Sequence, residues 1–307
     1  MRIPFTRLCL NGGGIRGILQ VGALQYLEHV DKRPLYEVFH EGMHGVSIGA
    51  VITSLLAFGF STQEIVKALD SVCHLQAAMS PIRLDSLMRI PSQKGLDDGT
   101  QLKTTLSAIF KTRGYDLAHL KVGDAKCPLR IYASDLTYLK PVAFHEGIFL
   151  WDALRASTSI PFIFTPHIVK GRVFVDGGLM VDTLMNLLPD HQRASSLHIY
   201  CSRPFGLTNP ATMAFSEYAA YMLNANITRE HARLLETYPH NVCAVQNNSI
   251  QALDFDKVRQ RRADLLDCGF TAMQSLFQSR AQSSGTSATS AHPLDPHTRT
   301  TSSSSPV

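Results

Sequence analysis

The 307-residue chain is 45% hydrophobic and 18% charged, with a formal net charge of +4. It is long and apolar enough to bury one large core, and too nearly neutral to make an electrostatic case for nucleic acid. Six cysteines are spread without a C-x-x-C pair or a cluster with histidines, a pattern that argues against zinc and reads as reduced thiols in a reducing compartment.

Arg7 to Leu10 reads as a short buried strand, and the glycines after it hand over to a helix from about Arg16 to Val30. Ile18, Leu19, Val21, Ala23, Leu24 and Leu27 make that helix apolar over most of its circumference, so it should be buried. A second strand at Gly42 to Val46 delivers Ser47, and Ile48 to Phe58 is again an apolar, central helix. Ser61-Thr62-Gln63-Glu64 is a capping box that starts another helix. Between Leu75 and Gly99 no period is clear; the segment reads as a mobile cover or as an ordinary surface connection.

Further along, a helix is expected from Thr100 to Lys111, a hairpin from Leu129 to Phe144, and a helix at Trp151 to Thr158 that must stop before Pro161. Gly171 to Val175 is a short strand ending at Asp176-Gly177-Gly178. A strand at Leu197 to Cys201, a long helical pattern from Ala211 to about Tyr238, a strand at Asn241 to Gln246 and a helix at Asp256 to Ser279 complete the pattern. Arg259, Arg261 and Arg262 read as a solvated face of that helix. Alternating strands and helices imply an α/β sandwich with a mainly parallel sheet. Residues 1–280 read as one catalytic domain, and the Ser/Thr-rich residues 281–307 as a disordered tail. No segment reaches about 18 uninterrupted apolar residues, so the expectation is a cytoplasmic protein with any membrane contact peripheral. Oligomeric state is not readable.

Two glycine patterns carry the chemistry. Gly45-Val46-Ser47-Ile48-Gly49 fits G-x-S-x-G, in which a nucleophile sits on a strained strand-to-helix turn, and here it falls between an apolar strand and an apolar helix. Gly12-Gly13-Gly14-Ile15-Arg16-Gly17 satisfies G-x-G-x-x-G after a strand and before a helix. One reading is a dinucleotide fingerprint in an NAD(P)-dependent oxidoreductase, with Glu37 about 20 residues further on. The other is a loop whose backbone N–H groups face an anion at a helix start, an oxyanion hole formed by Gly12, Gly13 and Gly14. A P-loop is excluded because Ile18 and Leu19 follow Gly17 where Lys and Ser/Thr are required.

Thirteen histidines are available as a base for Ser47. In an α/β-hydrolase, however, several strands precede the nucleophile, and here only one precedes its strand, which argues against a histidine triad. Asp176 ends a strand as Ser47 does, and strand ends on one edge of a parallel sheet are where sites gather. Alone, Asp176-Gly177-Gly178 reads as a tight turn; beside a glycine loop and an elbow it reads as the base. Arg16 either adds positive charge near the loop or solvates the helix. His44 reads as structural, and Asp135 and Asp152 read equally as supporting acids or as turn and helix-start residues.

With these blocks in order, the chain is similar to the patatin-like phospholipases. That family's D-G-G-G-x-R-G loop, G-x-S-x-G elbow, A-S-x-x-x-P-x-x-F segment and D-G-A/G aspartate appear as Asn11 to Gly17, Gly45 to Gly49, Ala156 to Phe164 and Asp176 to Gly178. The resemblance spans roughly residues 5 to 200. It implies a three-layer α/β/α fold and a Ser47–Asp176 dyad, supported by Arg16, Gly17, Gly45, Gly49, Gly177 and Gly178. It also implies hydrolysis of phospholipid or other acyl-ester lipids through an acyl-enzyme, with no metal or cofactor. A patatin-fold binding or regulatory protein without catalysis is the remaining alternative. Two departures stand out: Asn11 replaces the aspartate before the glycines, and Leu179 to Asn186 replaces an N-x-P sequence after the catalytic aspartate.

Overall fold

A computed structural model describes residues 1–78, 92, 94–202, 227, 229–250 and 255–286. In chain order the strands are β1 (Arg7–Leu10), β2 (Gly42–Val46), β3 (Gly95–Asp97), β4 (Leu129–Asp135), β5 (Lys140–Phe144), β6 (Phe162–Phe164), β7 (His167–Val169), β8 (Arg172–Asp176), β9 (Ser196–Ser202) and β10 (Val242–Gln246). The helices are α1 (Gly17–Asp31), α2 (Leu35–Val38), α3 (Ile48–Ala57), α4 (Thr62–Ala78), α5 (Thr100–Lys111), α6 (Leu150–Ser157), α7 (Asp190–Arg193), α8 (Phe255–Gln260) and α9 (Arg262–Thr286).

β10, β9, β1, β2 and β4 lie side by side and all run parallel. Each is bounded by a helix or connection that crosses a face of the sheet, so both faces are covered. On one face Leu8, Leu10, Met43, Ile131 and Ile199 pack into the large core with α1, α3, α4 and α9. On the other, Val46, Tyr132 and Tyr200 pack against Val181, Leu184 and Leu188 in a smaller core. The result is a three-layer α/β/α sandwich.

One edge of β4 sets the site. Residues 131–135 of β4 pair antiparallel with β5, while on its opposite edge residues 129–132 pair with β2 and residues 133–135 pair with β8. β2 and β8 therefore share one edge of β4 and run toward each other head-on. Val46 stands opposite Tyr132 and Asp176 opposite Ala133, so Ser47 and Asp176 meet where the two strands end. The expectation of two strand ends on the edge of a parallel sheet is corrected here: β8 is antiparallel to its neighbours, and Asp176 reaches Ser47 from the opposite direction.

The helices follow from local chemistry. α1 is buried from Gly17 through Leu24, as its continuous apolar surface requires, and it lies close against α9. A Cβ on Gly22 would fall 2.1 Å from the Leu266 carbonyl oxygen, and one on Gly269 2.0 Å from that of Leu19. The Ser61–Glu64 capping box forms: the Ser61 N–H donates to Glu64 at 2.8 Å and the Glu64 N–H to Ser61 Oγ at 3.3 Å. The single helix expected at Asp256 to Ser279 is two, α8 and α9, separated at Arg261, and α9 continues to Thr286. Most of the cover expected at 75–99, the first part of the helical pattern from 211, and residues 287–307 lie outside the described residues. No helix among the described residues is long and apolar enough to cross a membrane.

Candidate active site

Ser47 is the residue between β2 and α3, with φ 55° and ψ −126°, a left-handed φ that costs an L-residue energy and persists only where its surroundings enforce it. The two flanking glycines show how. A Cβ on Gly45 would fall 2.3 Å from Thr53 Oγ1 and 2.5 Å from the Ala50 Cα, and one on Gly49 2.2 Å from the Leu10 carbonyl oxygen. The turn is thus pressed against its own helix and against β1, and glycine is required at both positions by close approach.

Ser47 Oγ donates to Asp176 Oδ2 at 2.6 Å. The other carboxylate oxygen, Oδ1, accepts the Gly178 N–H at 2.8 Å, while Gly177 lies so near β4 that a Cβ would come 2.5 Å from the Tyr132 carbonyl oxygen. Both dyad residues are buried, Ser47 6% and Asp176 7% exposed. Burial pushes the Asp176 carboxyl up to about 6, against the opposing hydrogen bonds from Ser47 and Gly178. Such a carboxylate is charged at neutral pH but holds a proton more strongly than an exposed aspartate, which suits a group that must accept one from a hydroxyl.

The glycine loop lies beside this pair. A Cβ on Gly12 would be 3.1 Å from Ser47 Cβ and 3.8 Å from its Oγ, and the N–H groups of Gly12 and Gly13 donate to no backbone acceptor among the described residues. Gly14 adopts φ 58°, the left-handed turn that feeds the chain into a short 3-10 helix and then α1. Gly17 packs on Ile48, where a Cβ would stand 2.7 Å from Cγ1, locking the start of α1 to the start of α3. Arg16 turns its Nε back to the Gly13 carbonyl at 3.3 Å, and its Nη1 is buried with no partner among the described residues, in the wall of the cleft that holds Ser47, Asp176 and Gly12 to Gly14. The rest of that wall includes Val46, Ile160, Pro161, Leu179, Val181 and Ile227, an apolar lining over a small polar centre.

Asn11, the departure from the usual aspartate, is buried and fully used. Its Nδ2 donates to the Asp182 carbonyl at 3.1 Å and lies 2.9 Å from His231 Nε2, and its Oδ1 accepts the Leu184 N–H at 3.3 Å. It ties the glycine loop to the segment that replaces N-x-P. Asp135 pairs with Arg172 and caps the turn at Thr137, Asp152 bonds His167, and His44 bonds the Tyr132 hydroxyl at 2.9 Å; none of these reaches Ser47. Glu37, which a dinucleotide fold would need at the end of its second strand, lies on α2 instead.

Residue-type reasoning missed the support beneath the dyad. Ser157 Oγ accepts the Ser47 N–H at 2.9 Å and donates to the Tyr132 carbonyl at 2.6 Å. Two residues on, the Ser159 carbonyl accepts the Asp176 N–H at 2.8 Å. Arg155, 1% exposed, donates to Ser159 Oγ, to the Thr165 carbonyl at 2.8 Å and to the Asp98 carbonyl at 3.2 Å. The end of α6 therefore holds both dyad residues by their backbones. The available signal was the A-S-x-x-x-P segment, whose serines gave no hint of their partners.

The model of the family described as patatin-like phospholipase matches residues 8–185, well over half of the chain and every part of this cleft except Ile227. The chain belongs to this family. Among similar proteins, Bacillus subtilis YqhO is 22% identical over 282 residues, covering 84% of this chain and 93% of that one. The cGAMP-activated phospholipase of Escherichia coli is 26% identical over 195 residues, 57% of this chain and 52% of that protein, so the chain spans about half of its length. Among solved structures, VipD from Legionella pneumophila aligns over 90% of this chain and 67% of its own with a TM-score of 0.53 and 16% identity. That likeness shows the patatin fold shared by the two.

Proposed function

We propose that this patatin-like protein is a lipid acyl hydrolase working through Ser47 and Asp176. The observation that carries the reading is the 2.6 Å hydrogen bond from Ser47 Oγ to Asp176 Oδ2, at a strained elbow with the glycine loop alongside. Ser47 Oγ attacks the ester carbonyl carbon as its proton passes to Asp176. The negative charge formed on the carbonyl oxygen is met by N–H groups of Gly12, Gly13 and Gly14, and such a donor typically contributes about 10²–10³ in rate. Collapse breaks the ester C–O bond, and Asp176 returns the proton to the leaving alkoxide. Water then attacks the acyl-enzyme, giving its proton to Asp176, and the acid leaves as Ser47 is reprotonated.

The apolar wall of Val46, Ile160, Leu179 and Val181 suits an acyl chain, and phospholipid or lysophospholipid is the substrate class proposed. The similarity to the cGAMP-activated phospholipase of Escherichia coli supports that class. The site of action proposed is a cytoplasmic membrane surface, approached peripherally.

The test is hydrolysis of a short-chain p-nitrophenyl ester, and labelling by a fluorophosphonate probe, in the wild type, Ser47→Ala and Asp176→Asn. Activity and labelling are expected in the wild type, no labelling in Ser47→Ala, and a loss of at least about 10³ in kcat for either variant. Equal activity in all three overturns the reading.

A further inference from the structure

The β4–β5 and β7–β8 turns lie beyond the C-terminal end of β2, the end of the sheet at which Ser47 and the glycine loop line the cleft, and they carry side chains that the Ser47–Asp176 pair does not use. Between β4 and β5, Leu136, Tyr138 and Leu139 are 38%, 63% and 75% exposed, and Lys140 follows, also exposed. On the adjoining edge strand Ile168 is 66% exposed, followed by exposed Lys170 and by Arg172. The two turns are one surface: the Leu136 N–H bonds the Val173 carbonyl at 2.9 Å, Ile168 stands opposite Val173, and the Arg172 guanidinium lies 5.1 Å from the Tyr138 ring centre. Lys140 Nζ lies 5.9 Å from the same ring.

The charges carried by the two turn segments have one sign. Residues 136–140 and 168–172 contain Lys140, Lys170 and Arg172 and no acid; Asp135, which precedes them, is buried and already taken by Arg172, and Asp152 is bonded to His167. The distance to the chemistry is short. Arg172 begins the strand that Asp176 ends, so at about 3.3 Å per residue the patch stands roughly 13 Å from the dyad. Phe162 and Leu179, 64% and 40% exposed, stand next to and within the cleft wall. An aromatic ring, branched aliphatic side chains and lysines on turns at one end of a molecule match what an interface between acyl chains and anionic headgroups takes up: apolar bodies enter, and ammonium groups stay at headgroup level.

We propose that the paired β4–β5 and β7–β8 turns, through Tyr138, Leu139, Ile168, Lys140 and Lys170, dock the protein on an anionic lipid surface with the cleft facing the bilayer. The proposal rests on the lipid-hydrolase reading for its choice of a lipid surface as occupant, and its test separates the two. The Ser47→Ala chain, which cannot consume the lipid, is floated with phosphatidylcholine vesicles with and without phosphatidylglycerol. Binding is expected to need phosphatidylglycerol and to fall with salt. The pair Lys140→Gln with Lys170→Asn should weaken it by about fivefold per lysine. Leu139→Asn, a residue type that tolerates the left-handed φ of 52° at this position, together with Ile168→Thr, should weaken it by about tenfold or more.

In a chain with Ser47 intact, the same substitutions should leave soluble-ester hydrolysis and fluorophosphonate labelling unchanged. Vesicle binding that is absent, indifferent to phosphatidylglycerol, or untouched by both pairs overturns the docking proposal. So does a self-association that these substitutions abolish while vesicle binding persists, because the face would then join two copies. A wild type that binds vesicles through this face but is not labelled at Ser47 defeats the hydrolase reading and leaves the docking face standing.

Discussion

Ser157 Oγ takes the Ser47 N–H at 2.9 Å while giving its own proton to the Tyr132 carbonyl at 2.6 Å, so one hydroxyl fastens the backbone of Ser47 to β4. Ser157→Ala removes the acceptor and leaves a buried N–H unsatisfied, a cost of about 1–3 kcal/mol. Part of that cost falls on the strained φ at Ser47, which has one fewer restraint. The expected outcome is a lower melting temperature, a kcat on a soluble ester reduced roughly tenfold or more, and a KM little changed. A variant that melts lower but keeps its kcat would make Ser157 a packing residue only.

Asp176 gives a pH signature of defined sign. Its carboxyl is raised from the ordinary 3.8 to about 6 by burial, so the base form is lost below that value. Hydrolysis should rise with pH through an apparent pKa near 6 and then level. The same shift lowers stability: in the unfolded chain the group ionises above about pH 4, in the folded chain only above about 6, so stability declines across that window and stays reduced above it. Asp176→Asn should therefore be inactive yet more stable than wild type by up to about 3 kcal/mol at pH 7. The gain should vanish below pH 4. Urea unfolding of both proteins at pH 4 and pH 7 measures it, and an Asn variant no more stable at pH 7 contradicts the burial account.

The parts of this site that were legible are those whose constraint is local. A left-handed serine between a strand and a helix needs glycines at fixed offsets, so Gly45, Ser47 and Gly49 can be read in five residues, as can a glycine loop ahead of α1. The burial of α1 is equally plain from its composition. What could not be read depends on which strands share an edge. Gly171 to Val175 looks like any short strand, and nothing in it announces that β8 runs against β2 along β4. Ser157 Oγ and the Ser159 carbonyl meet the backbone N–H groups of Ser47 and Asp176, and a backbone N–H carries no residue signature. The partners of Asn11 include residues 171 and 220 positions away, and the break at Arg261 occurs with no proline or glycine between Phe255 and Cys268 to announce it.

The contact between α1 and α9 makes a further prediction about the whole domain. A Cβ at Gly269 would stand 2.0 Å from the Leu19 carbonyl oxygen and 2.8 Å from the Ala23 N, both backbone atoms inside a buried helix that cannot step aside alone. Gly269→Ala should force the helices apart and cost about 3 kcal/mol or more. Gly147→Ala, where the added carbon meets nothing within 4 Å, should leave the denaturation midpoint nearly unchanged. Equal midpoints for the two variants would mean that α9 is not packed on α1 as described.

Asn11 yields the most discriminating substitution, because restoring the family's aspartate should do harm here. His231 is buried, and burial pushes its ring down to about 3, so it is neutral and its Nε2, 2.9 Å from Asn11 Nδ2, accepts the amide proton. The second amide proton goes to the Asp182 carbonyl. Asn11→Asp replaces a donor by lone pairs facing two acceptors. The new carboxylate can be reconciled with His231 only if the ring presents a proton on Nε2, which protonation supplies, so the His231 pKa should rise from about 3 toward the ordinary histidine range. The variant should be less stable than wild type by about 1–3 kcal/mol at pH 8, with the gap narrowing as pH falls to 6 and the ring gains its proton. Urea unfolding at both pH values decides it. A gap independent of pH would show that His231 does not answer to residue 11, and that the glycine loop is tied to Asp182 and Leu184 without it.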